Sequence, residues 1–110
     1  MPMERKEIQE AIQELKKRLI KNFGPGIELH LFGSVARGDY VALSDIDILI
    51  LLPLEVNNSI EEQIFNLAYD IELQFNVVFG IIVYSKAFWE SPLSMCMPIY
   101  KSIKNDGIVV

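Results

Sequence analysis

From Asp45 to Leu52 the chain reads Asp-Ile-Asp-Ile-Leu-Ile-Leu-Leu, and no other stretch limits the fold as tightly. Beyond its start this run is apolar at odd and even positions alike. A strand of that kind must be covered on both faces, so it belongs at the centre of a sheet with helices packed against it. Pro53 closes it. The 110 residues suffice for one modest core, and with 51% of them apolar a folded globule is expected rather than a disordered tail.

The flanking sequence supplies the remaining layers. From Glu4 to Phe23, Ile8, Ile12, Leu15, Leu19 and Phe23 recur at steps of three and four, which predicts an amphipathic helix ended by Gly24-Pro25-Gly26. Residues 27–32 read as a short strand stopping at Gly33. Residues 34–44 read as a turn and loop with a helical turn after Ser34. Ser59-Ile-Glu-Glu62 has the form of a capping box opening a second helix, with Ile60, Ile64, Leu67, Ala68, Ile71 and Phe75 on its buried stripe. Asn76–Tyr84 reads as a third strand, residues 85–90 as the start of a short helix, and the final residues as a helical turn and an edge strand. The expected class is α/β (α+β), a small mixed sheet with helices against it.

Within that frame, ten residues separate Gly33-Ser34 from Asp45-Ile46-Asp47. On a strand, residues i and i+2 share a face about 6.5 Å apart, so Asp45 and Asp47 would point into one pocket while Ile46, Ile48 and Ile50 anchor the other face. Mg²⁺ takes one or two carboxylates and completes its shell with water and phosphate oxygens. Gly33 lets backbone approach a ligand, Ser34 adds a hydroxyl, and Arg37 could contact phosphate. Read singly, these are a turn, a solvated loop charge and a pair of surface aspartates. Joined at this spacing and mounted on two strands, they form a specific constellation.

Gly33-Ser34-x10-Asp45-x-Asp47, with Leu31-Phe32 before it and Ile48-Leu49-Ile50 after it, resembles the DNA polymerase β-like nucleotidyltransferase superfamily. It is most similar to the minimal nucleotidyltransferase (MNT) domains paired with HEPN proteins in prokaryotic two-gene modules. The resemblance implies a single minimal domain over residues 1–110, with a nucleoside triphosphate at Gly33 and Ser34 and metal at Asp45 and Asp47, and Arg37 joins the phosphate site as read above. It further implies Mg²⁺-dependent transfer of AMP from ATP to a tyrosine hydroxyl of a HEPN toxin, which the MNT protein thereby silences as antitoxin. Many members of the superfamily carry a third carboxylate on a later strand. Here Asn76–Tyr84 contains none, and Asp70, Glu72 and Glu90 lie off it. The alternative is therefore a weak or inactive module that neutralises its partner by binding.

Other features set bounds. A net charge of −5 argues against direct nucleic-acid binding and is compatible with a metal-bound nucleotide. The charged N-terminal stretch lacks a signal core and residues 46–54 are too short to span a bilayer, so a cytoplasmic protein with no membrane association is expected. The lone Cys96 is expected to be a buried thiol. His30 is expected to be structural or at the surface, and Tyr84, Phe88 and Trp89 to be core or interface. So small a domain would rely on a partner that is itself the acceptor, or on homo-oligomerisation. The helical face of residues 4–23 and the stretch 88–100 are candidate contact surfaces or core.

Overall fold

The structure is a computed structural model and describes residues 5–39 and 45–110. The part of the expected loop at residues 40–44 lies outside the described residues. Helix α1 (Arg5–Phe23) is followed by strand β1 (Glu28–Phe32), the short helix α2 (Gly33–Arg37) and strand β2 (Ile46–Leu52). Helix α3 (Asn58–Phe75), strand β3 (Phe79–Ser85), three helices α4 (Lys86–Trp89), α5 (Pro92–Met95) and α6 (Pro98–Asp106), and strand β4 (Ile108–Val109) complete the order.

The sheet runs β3-β2-β1-β4, with β2 parallel to β3 and β1 antiparallel to both β2 and β4. The run that is apolar on both faces thus takes an interior place. Its alternation assigns the two faces. Ile46, Ile48, Ile50 and Leu52 join Leu29 and Leu31 in a core roofed by Ile8, Ala11, Ile12, Leu15 and Leu19 of α1 and by Ile64, Ala68 and Ile71 of α3. Leu49 and Leu51 face the other way, beneath Trp89 and Ile103. Of the two readings open for the apolar face of α1, contact surface or core, the structure takes the second. Trp89 and Tyr100, with ring centroids 5.1 Å apart, belong to the second core, while Leu93 and Met95 of the same stretch stay exposed.

Three local expectations change. Helix α3 is capped by Asn57, whose side chain accepts the Ile60 N–H at 2.9 Å, and not by Ser59. Asn57 is also a preferred cap, and choosing it starts the helix two residues earlier. Strand β3 begins at Phe79 rather than Asn76, because Asn76 closes α3 in the left-handed conformation (φ 55°). Cys96 is exposed rather than buried, at the end of α5. No helix among the described residues is long and apolar enough to cross a membrane.

Candidate active site

β1 delivers Phe32 opposite Asp47 and then turns directly into α2 at Gly33. Gly33 has φ 73°, a conformation side chains avoid, and a Cβ added there would overlap Asp47 Oδ2. On the opposite side, Gly80 of β3 is the register partner of Asp47, and a Cβ at Gly80 would lie 2.6 Å from Asp47 Oδ1. The carboxylate therefore occupies a slot with a glycine on each side. Asp47 shares its face with Leu49 and Leu51 but lies one pleat earlier, and is half-buried.

Asp45 immediately precedes β2 and is exposed. Its Cβ is 3.8 Å from the same position above Gly80, so the two aspartates converge. Between them the Ile46 N–H donates to the Val78 carbonyl at 2.8 Å, fixing the backbone that carries both. Burial pushes the Asp47 carboxyl above its ordinary range, the negative charge of Asp45 pushes it further, and Arg37 opposes them. An acid pair with this like-charge conflict is suited to a cation.

Ser34 sits in the first turn of α2, whose N-cap residue Phe32 provides no side-chain cap. Its carbonyl accepts from the N–H groups of Gly38 and Asp39, and Gly38, in the left-handed region, ends the helix. Arg37 is held by Asp39 at 3.1 Å and lies 3.6 Å from Asp106 at the end of α6. These neighbours raise its already high pKa. All five candidate residues, Gly33, Ser34, Arg37, Asp45 and Asp47, thus fall on α2 and at the start of β2.

The neighbouring acids do other work. Glu72 accepts the Phe79 N–H at 2.8 Å and anchors the start of β3. Asp70 lies beside α1, near Lys17 and Lys21. Glu90 terminates α4. His30 pairs with Glu28 of its own strand. Among the described residues no group of three His, Cys, Asp or Glu could hold a metal ion. Two carboxylates nonetheless fit Mg²⁺, which leaves the rest of its shell to water and phosphate.

Gly80 and Asp106 were not singled out by the sequence. A glycine within a strand does signal close approach, which would have marked Gly80. Nothing local links Asp106 to Arg37.

Residues 12–108 match the family model of the nucleotidyltransferase domain. The chain belongs to that family. A Methanocaldococcus jannaschii protein provisionally named a protein adenylyltransferase, MJ0141, is 35% identical over 81 residues, 73% of this chain and 82% of the relative. A second from the same organism, MJ0604, named in the same way, is 31% identical over 107 residues, 97% of each chain. Among solved structures, a toxin–antitoxin complex with AMP-PNP superposes with a TM-score of 0.56 at 19% identity, covering 92% of this chain and 70% of that one. A mutant MntA-HpeT toxin–antitoxin complex gives 0.54 at 18% identity, covering 93% and 70%. These structural likenesses establish a nucleotidyltransferase fold.

Proposed function

We propose that this nucleotidyltransferase-family chain moves AMP from ATP to a hydroxyl on a protein partner, as the antitoxin of a two-gene module. The carrying observation is the Asp47 carboxylate seated between Gly33 and Gly80 with Asp45 beside it. The two relatives named for protein adenylylation and the toxin–antitoxin neighbours support the choice of acceptor. A tyrosine of a HEPN-type toxin is the acceptor in this reading.

Placement supports the following roles. Gly33 and Ser34 bring the start of α2 to the phosphates, and Arg37 follows one turn later. Asp45 and Asp47 would hold Mg²⁺, which when bound supplies charge neutralisation at the attacking and leaving oxygens. In the transfer, a bond forms between the acceptor oxygen and the α-phosphorus. The bond from that phosphorus to the β-phosphate bridging oxygen breaks, pyrophosphate leaves, and the acceptor's proton passes to water. The glycine slot fixes Asp47 before the substrate arrives.

The test is transfer of label from α-³²P-ATP to the HEPN-type partner. Wild type should label it in the presence of Mg²⁺, and Asp47→Asn should abolish labelling while keeping its circular dichroism. Unchanged labelling would sink the assignment.

A second reading is favoured by one observation. The β3 position beside Asp47, where a third acid would be placed, is Gly80. An inactive module that inhibits by binding would still neutralise its partner in cells as Asp45→Asn or Asp47→Asn. Loss of neutralisation in both variants counts against it.

A further inference from the structure

Helix α3 buries Ile64, Ala68 and Ile71, yet its other flank exposes Phe65, Tyr69 and Leu73 at intervals of four. These three side chains span about 12 Å of helix. Their direction is fixed by their neighbours. Glu72, which lies seven and three residues after Phe65 and Tyr69, reaches the start of β3, whereas Gln74 accepts from Arg18 of α1 at 2.9 Å. The stripe therefore lies on the β3 side, above an edge strand of the sheet. It continues into exposed Val78, whose carbonyl holds the Ile46 N–H between the two aspartates.

Charge says what could cover it. Residues 38 to 85 contain no Lys or Arg and eight Asp or Glu. Glu62, three residues before Phe65, stacks onto the same flank. An apolar stripe in a purely acidic setting suits a surface with apolar anchors among Lys and Arg. A second copy of this chain fits poorly. Stripe on stripe would oppose rows of carboxylates, and the basic helix α1 exposes no large apolar side chain among its described residues.

We propose that the Phe65–Tyr69–Leu73–Val78 stripe is the docking surface for the acceptor protein, gripped through a basic, apolar helix. At its Val78 end the stripe borders the strand end that carries Asp45 and Asp47, and a partner gripping α3 reaches those carboxylates, on the opposite face of the sheet, around the β3 edge. This inference rests on the acceptor-protein reading above and adds the surface that reading lacks.

The experiment titrates the HEPN-type partner calorimetrically into wild type, Tyr69→Ser/Leu73→Ser, Glu62→Lys and Asp47→Asn, with melting curves and Mg-ATP titrations on each. The double variant should lose about 100-fold in partner affinity. It should melt and bind Mg-ATP as wild type, because both side chains are exposed. Glu62→Lys should weaken the complex less, and Asp47→Asn should bind the partner fully while transferring no AMP. Unchanged partner affinity in the double variant overturns the proposal, as does a wild type that does not bind the partner. So does a wild-type dimer in light scattering that the double variant dissolves, since a second copy would then cover the stripe. If Asp47→Asn still transfers AMP while the double variant fails to bind, the catalytic assignment falls and the surface stands.

Discussion

At the scale of the residue, Asp47 is held at a cost to stability. Its carboxyl is raised above the ordinary 3.8 by burial first and by Asp45 second. The folded protein then binds that proton more tightly than the unfolded chain. Stability is therefore lost as pH rises through the window just above 3.8, and is not affected by this group at lower pH. Without added metal, Asp47→Asn should melt at or above wild type near neutral pH, the difference closing as pH falls below that window; thermal melts from pH 3 to 8 read this directly. Adding Mg²⁺ should raise the melting temperature of wild type and leave Asp47→Asn unmoved. Gly33→Ala should lose about 100-fold in transfer, since its methyl group would displace Asp47 Oδ2 from the slot. Single-turnover rates at saturating Mg-ATP give that comparison.

At the scale of the element, Asn57 caps α3 far from the aspartates, and Asn57→Ala should cost about 1 kcal/mol in denaturant melts with Mg-ATP binding retained. The same element marks how much of the chain was legible beforehand. The stripes of α1 and α3 and the apolar run of β2 were readable because one face or two must be buried, and burial imposes a period on sequence. The cap was misplaced because Asn57 and Ser59 are both good caps, and local chemistry does not decide between them. The start of β3 was misplaced because Val77 and Val78 look like strand, while the left-handed Asn76 interrupts the backbone before them. At the candidate site, Gly33 and the two aspartates lie close together in sequence and announce themselves. Gly80 reaches Asp47 through strand register and Asp106 reaches Arg37 through the packing of α6, and neither relation has a local signature.

At the scale of the whole molecule, two cores share one sheet. The helices α1 and α3 cover one face, and the C-terminal helices cover the other through Trp89 and Ile103. Trp89→Ala should cost about 3–5 kcal/mol, read from chemical denaturation, because it uncovers Leu49 and Leu51 together. If the two cores unfold as one, circular dichroism and aromatic fluorescence will report a single shared transition in that variant as in wild type. The sheet also joins strands far apart in the sequence. Ile108 and Val109 pair with β1, and the Val110 N–H donates to the Leu29 carbonyl at 3.0 Å. During synthesis, β1 is therefore available long before its outer neighbour exists. Until residues 108–110 emerge from the ribosome, the nascent chain carries an open strand edge, and a stalled or truncated product keeps it, inviting pairing with other chains.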